Sequence, residues 1–147
     1  MEIISRTTAV VLLIILSPFL LIIGIGNLIL QGRPIIYRQK RVGKDFKEFL
    51  IYKFRTMKNK DAGIDNFSSG QTTTLTKWGR FLRKTKLDEL PQLANIIKGD
   101  MRFIGPRPEV PEYVSQDSFS FLSIIKPGLS GFSSILFRNE SEIWSMI

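Results

Sequence analysis

Hydrophobic and polar positions divide this chain sharply. From Ala9 to Leu30, 22 residues pass without a charge, and as a helix they would reach about 33 Å, enough to cross the hydrocarbon core of a bilayer. A helix this long on a soluble domain needs a polar face to show water, and this run has none. A cleaved signal peptide fits poorly too: Glu2 sits near Arg6, the apolar run is long, and no A-x-A pattern follows it. In the middle, Ser17-Pro18 removes an internal hydrogen bond, and Gly24, Gly26 and Asn27 follow. That pattern predicts a break, which leaves open a kinked span or a re-entrant helix returning to the same face.

After Pro34 the pattern changes to short strands. Ile35–Arg38 and Phe46–Phe54 read as a pair joined by a turn around Gly43-Lys44-Asp45. Residues 58–76 are rich in Gly, Ser, Thr, Asn and Asp and predict a long loop. A helix is expected over Trp78–Lys84. A second one, carrying Leu87, Leu90, Ala94 and Ile97 on one side, should stop at Gly99. Pro91 belongs in a first helical turn, so this second helix should begin near Asp88 or Glu89. Phe119, Phe121, Leu122, Ile124 and Ile125 are too apolar for an exposed loop and suit either domain core or a patch lying on lipid headgroups. The whole reads as an α+β protein: residues 1–32 a membrane helix, residues 33–147 one polar domain.

Charge then narrows the setting. Net charge is +8 with a pI near 10.0, and mean hydropathy is +0.07, which points to a polyanionic partner. Arg33 to Lys60 hold ten basic residues against two acidic ones, so the polar domain is expected on the cytoplasmic side. The chain has no Cys and no His. Thiol nucleophiles, disulfides, imidazole bases and His- or Cys-ligated zinc are all excluded. Any metal must be a hard, oxygen-liganded ion such as Mg²⁺ or Mn²⁺. No phosphate-binding P-loop or dinucleotide fingerprint occurs. The aromatics form no stacking platform, which sets a nucleic-acid partner aside.

Chemistry concentrates between Lys77 and Arg107, where eight basic residues accompany three acidic ones. Asp88 and Glu89 sit at an expected helix start among Arg80, Arg83, Lys84 and Lys86. They can be plain caps, with Thr85 and Asp88 at capping-box spacing. In so cationic a setting both carboxylates are expected to stay ionised with depressed pKa values. An ionised Asp can attack phosphorus, a neighbouring carboxylate can hold Mg²⁺, and guanidinium groups can grip a diphosphate. Gly105-Pro106-Arg107-Pro108 is either a tight turn or a rigid mount for an arginine clamp.

Several strings resemble one family in order and spacing: Lys53-Phe54-Arg55-Thr56-Met57, Leu87-Asp88-Glu89-Leu90-Pro91-Gln92-Leu93, Asn95 to Met101, and Gly105-Pro106-Arg107-Pro108, together with the Ser17-Pro18 break in an apolar helix. The chain resembles the bacterial sugar transferases that are monotopic polyprenol-phosphate phosphoglycosyl transferases. The resemblance implies a re-entrant N-terminal helix and a cytoplasmic domain with interfacial helices at the bacterial inner membrane. It also implies transfer of a sugar phosphate from a UDP-sugar to a polyprenol phosphate such as undecaprenyl phosphate, giving UMP, as the first membrane step of glycoconjugate or exopolysaccharide synthesis.

By the same resemblance Asp88 corresponds to a nucleophile that carries a covalent phosphosugar, and Glu89 to a residue associated with Mg²⁺. Lys53 or Arg55, Arg83, Arg107 and Arg138 match anion-binding positions. Lys126-Pro127-Gly128-Leu129-Ser130-Gly131-Phe132 departs from the family's Arg-Pro-Gly-Ile-Thr-Gly-Trp, and family members usually continue further beyond this point. The rival is a catalytically silent basic membrane-surface protein that binds anionic lipid or recruits a partner.

Overall fold

The computed structural model describes residues 2–58, 74–115 and 119–131. Its first element, α1 (Glu2–Gln31), is one helix with Pro18 inside it. Helical hydrogen bonding runs on through Ser17-Pro18, and the reason is local. Pro18 cannot donate to the carbonyl of Ile14 four residues back. The Ser17 hydroxyl donates to that same carbonyl at 2.7 Å, so the carbonyl keeps a partner and the helix continues.

One stripe of α1 packs on the domain. Ala9, Leu12, Leu13 and Leu16 meet Ile51, Leu93, Ile96 and Met101, and further along Leu20 and Ile23 meet Phe54, Leu82 and Trp78. The remaining faces are bare, with Ile14, Ile15, Leu21 and Ile22 each about two-thirds exposed. Among the described residues α1 is the one helix long and apolar enough to cross a membrane.

Both ends of α1 are fastened to the domain. At its start Glu2 pairs with Lys126 at 2.8 Å and with Arg102 at 3.4 Å. Near its end the fully buried Asn27 donates to the carbonyls of Ile35 (3.1 Å) and Arg55 (3.0 Å), and accepts from Trp78 Nε1 (3.0 Å) and Gln31 Nε2 (2.9 Å). Asn27→Leu keeps the volume but strands the indole N–H, and it removes one partner from each carbonyl. We expect about 2–3 kcal/mol of lost stability in detergent, measured by thermal unfolding with Trp78 fluorescence. A melting temperature equal to that of the native chain would show that this network contributes nothing.

Among the described residues the strands form three two-stranded sheets. β1 (Ile36–Val42) and β2 (Glu48–Phe54) pair antiparallel with Tyr37 opposite Lys53 and Arg41 opposite Phe49. β2 begins two residues later than expected because Phe46 belongs to the turn, where it and Asp45 take left-handed backbone angles. β3 (Met57–Lys58) and β4 (Thr74–Leu75) pair across the base of the expected loop. β5 (Arg102–Ile104) and β6 (Gly128–Ser130) pair in parallel.

Between these lie α2 (Lys77–Lys84), a 3₁₀ segment Leu87–Gln92, and α3 (Leu93–Lys98) ending at Gly99 with φ 89°. The tighter winding ahead of α3 shifts the phase of the expected helix. Asp88, Gln92, Leu93, Asn95 and Ile96 are the buried positions, while Leu87, Leu90, Ala94 and Ile97 are half-buried. Asn95 ties α3 to β2, donating to Leu50 O (2.7 Å) and accepting from Tyr52 N (3.2 Å). In the expected apolar patch Leu122 is buried, whereas Phe121, Ile124 and Ile125 are exposed.

Candidate active site

Two structural devices present the acidic pair. α2 ends at Thr85, whose hydroxyl turns back to Phe81 O (2.8 Å) and Leu82 O (3.2 Å). The capping box with Asp88 is thus replaced by a C-terminal cap. Lys86 then takes a left-handed conformation, φ 60° and ψ 15°, and the chain enters the 3₁₀ segment with Asp88 and Glu89 in its first turn. Asp88 is buried at 7% exposure, and its Oδ1 has no hydrogen-bond partner. A buried carboxylate oxygen left without a partner is costly, so it marks a position held for something other than stability.

Glu89 is held differently. Lys53 Nζ, from β2, donates to Glu89 Oε1 at 2.8 Å, and Arg107 approaches the same oxygen at 3.7 Å. The two neighbouring carboxyls consequently diverge. Burial pushes the Asp88 carboxyl above its ordinary value and the charge of Glu89 adds to this, against Lys53, Arg83 and Lys86. Burial also raises Glu89, but the hydrogen bond and charge of Lys53, then Arg107 and Lys86, outweigh it and hold Glu89 below its ordinary value. The expectation of two depressed carboxyls is therefore corrected for Asp88: the nearby cations are real, yet they do not pair with it closely enough to offset its desolvation.

Arg107 sits on a loop closed by backbone contact between two family strings. Gly128 N donates to Pro106 O (2.9 Å) and Gly105 N to Ser130 O (3.1 Å). A Cβ on Gly105 would lie 2.8 Å from Gly128 N, so this approach requires glycine. Arg107 is half-exposed beside the cleft that Lys53, Glu89, Gln92, Pro108 and Leu129 line. Arg83 borders the pair, acting on Asp88 by charge while its Nε donates to Thr56 Oγ1 at 3.0 Å.

Arg55 is not brought to the site. Its Nε donates to Met57 O (2.8 Å) and its Nη1 to Arg33 O (2.6 Å), so of the two alternatives Lys53 is the cleft residue. Arg138 lies outside the described residues. Sequence reasoning missed Arg41, which lines the cleft from β1. Burial lowers its pKa, with Glu109 opposing and the like charge of Arg107 adding to it. Its only sequence signal is the alternation Tyr37, Gln39, Arg41 on the strand face that also carries Lys53.

Sequence comparison fits this geometry. The sequence model of the family described as Bacterial sugar transferase matches residues 1–147. The chain belongs to this family. It is 36% identical over 148 residues to the uncharacterised sugar transferase EpsL of Bacillus subtilis (strain 168), a match covering 93% of this chain and 73% of that protein.

It is also 35% identical over 134 residues to the UDP-N-acetylgalactosamine-undecaprenyl-phosphate N-acetylgalactosaminephosphotransferase of Aeromonas hydrophila, covering 87% of this chain and 32% of the relative. With the UDP-glucose:undecaprenyl-phosphate glucose-1-phosphate transferase of Escherichia coli (strain K12) it shares 34% over 141 residues, or 91% and 30%. The chain thus spans about a third of the length of these two bacterial sugar transferases.

Proposed function

We propose that this chain transfers a sugar phosphate from a UDP-sugar to undecaprenyl phosphate at the cytoplasmic face of a membrane. The observation that carries this is the buried Asp88 with its unpartnered Oδ1, set beside a Glu89 that Lys53 and Arg107 hold ionised. The activities for which the Aeromonas and E. coli relatives are named supply the substrate class.

In the first step an Asp88 oxygen attacks the β-phosphorus. The bond from that phosphorus to the bridging oxygen breaks, and UMP departs with the electron pair. Asp88 is left carrying the sugar phosphate as an acyl phosphate. In the second step an oxygen of the polyprenol phosphate attacks the same phosphorus, and the Asp88 carboxylate is released. A carboxyl raised by burial is the more basic nucleophile once ionised, because little water must be stripped from it. Lys53 and Arg107 suit the diphosphate oxygens.

The donor set also fits a hard divalent ion. Lys53 and Arg107 both address Glu89 Oε1, and Asp88 Oδ1 is free. Among the described residues no group of three acidic side chains forms a complete cage, as is usual where Mg²⁺ shares its shell with substrate phosphates. Glu89 and Asp88 would hold Mg²⁺ or Mn²⁺, which would supply neutralisation of phosphate charge.

Purified chain with undecaprenyl phosphate in detergent and a panel of UDP-glucose, UDP-galactose and UDP-N-acetylgalactosamine should release UMP. EDTA should abolish release and added Mg²⁺ restore it. Full turnover in excess chelator would exclude the metal. No UMP from any sugar would leave the silent lipid-binding protein as the better account.

Membrane association is supported by the bare apolar faces of α1 and by exposed Ile104, Phe121, Ile124 and Ile125. The Glu2 contacts with Lys126 and Arg102 favour both ends of α1 lying on the domain's side of the membrane. A single Cys at Ile3, which is 80% exposed, should therefore resist an impermeant thiol reagent on intact cells and label after lysis. Strong labelling from outside would establish a full span.

A further inference from the structure

We propose that Arg41 is a positioning residue for Arg107: it fixes the backbone of the loop from Gly105 to Glu109 and so aims the Arg107 guanidinium at the diphosphate of the donor. This rests on the function proposed above. The Arg107 side chain does not anchor itself, being half-exposed with Glu89 3.7 Å away. Pro106 and Pro108 stiffen the backbone around it but do not say where in the molecule it lies.

Its location comes from both flanks. On one, Gly128 N reaches Pro106 O and Gly105 N reaches Ser130 O. On the other, Val42 N donates to Glu109 O at 2.9 Å, and Arg41 Nη1 donates to Pro108 O at 3.0 Å. Of these four bonds only the last comes from a side chain. It acts on the carbonyl immediately after Arg107.

Arg41 is itself fixed. Its Nη2 donates to Gln39 Oε1 at 2.8 Å, its side chain is 16% exposed, and the Glu109 carboxylate stands 3.9 Å from Nη1. Its Nε is buried without a partner. A guanidinium held this far from water with incomplete pairing is a poor stabilising element, and an apolar side chain would serve packing better. What a guanidinium offers is a rigid fork that grips two acceptors at once, which the point charge of lysine cannot copy. The strand register supports the same arrangement. Arg41 lies four residues along β1 from Tyr37, the partner of Lys53, about 13 Å at strand rise. One sheet face thus carries Lys53 toward Glu89 and Arg41 toward the Arg107 loop.

The test compares Arg41→Lys alone and in an Arg107→Ala background. Calorimetry with UDP reads affinity, UMP release from UDP-N-acetylgalactosamine reads KM and kcat, and thermal unfolding reads stability. Arg41→Lys should weaken UDP binding and raise KM by about 3–10-fold, with kcat changed less than about 2-fold. In the Arg107→Ala background the same change should alter UDP affinity by less than about 1.5-fold, since a residue acting through another has nothing left to act on.

Gln39→Leu, which loosens Arg41 without touching its charge, should give a smaller effect with the same dependence on Arg107. It carries the comparison if the lysine variant does not fold. Equal losses with and without Arg107 would overturn the proposal, as a structural role or a direct phosphate contact would produce them. A native chain that neither binds UDP nor releases UMP would overturn the proposed function along with it; normal native activity with additive losses would overturn only the role of Arg41.

Discussion

Asp88→Asn should abolish UMP release, lowering turnover by at least about a thousandfold, while the protein gains thermal stability at neutral pH. The first half follows from the proposed chemistry. An amide has nearly the size and polarity of the carboxyl, but it cannot attack phosphorus and leave again as a carboxylate. Incubating native chain with UDP-sugar alone should release UMP in a single burst and add the mass of a sugar phosphate to a peptide containing Asp88. If UMP forms only when undecaprenyl phosphate is also present, and no adduct survives rapid quenching, the transfer is direct and Asp88 is not the nucleophile.

The second half separates a strained functional group from a structural one. A carboxyl whose pKa is raised on folding, as burial raises Asp88, costs stability when ionised. That cost is absent below its unfolded pKa, about 3.9, and grows as pH rises through the interval up to its folded value. Asn pays no such penalty, since burying a neutral amide is less unfavourable than burying a charge. The Asn variant should therefore melt above the native chain at pH 7, with the gap closing as pH falls toward about 4. Glu89 runs the other way. Its depressed pKa gives stability above its unfolded value, about 4.3, that is lost as pH falls through the folded value. Since both proteins retain Glu89, this loss should be common to them. An Asn variant less stable than native at every pH would make Asp88 a structural residue.

What the sequence could and could not convey follows from physical causes. The motif strings, the cationic corner and the strand pair are all local in sequence, and the structure brings Lys53 and Arg107 to Glu89, with Asp88 beside it in the same turn. The packing stripe Ala9, Leu13, Leu16, Leu20, Ile23, Asn27 and Gln31 on α1 was not legible, because periodicity cannot be read where nearly every position is apolar. Nor does the spacing of apolar residues reveal that the Ser17 hydroxyl meets the carbonyl that Pro18 leaves open.

Counting charges around Asp88 predicted the wrong direction for its pKa, since sequence records which charges are near but not how deeply a group is buried. Asn95, which opens one of the family strings, is fully buried and pins β2 to α3, a role that only the packing reveals. Arg41 was hidden in a dense basic stretch, where only the register of β1 separates the arginine that faces the cleft from Arg38, which lies over Tyr52.

Gly79→Ala should destabilise the fold severely, lowering unfolding free energy by about 3 kcal/mol or more. Gly79 sits in the first turn of α2, whose N-cap Thr76 accepts from the Gly79 N–H at 2.9 Å. In an exposed helix alanine would be favoured over glycine by about 1 kcal/mol. Here the propensity is overridden by a close approach. A Cβ at this position would fall inside the Thr56 carbonyl, with the Thr56 Cα only 3.0 Å away. Both obstructions are backbone, so no rotamer relieves them, and α2 must move away from the segment between β2 and β3.

That movement would separate Arg83 from Thr56 Oγ1 and the Trp78 indole from Asn27. It would thereby loosen the family string Lys53 to Met57 and the end of the apolar helix together. The variant should therefore lose stability and UDP affinity in step, without any change to a residue that touches the cleft. Thermal unfolding and UDP calorimetry on the same preparation check this; an alanine variant within about 0.5 kcal/mol of the native chain, the range of ordinary surface substitutions, would show that the contact between Gly79 and Thr56 does not hold α2 in place.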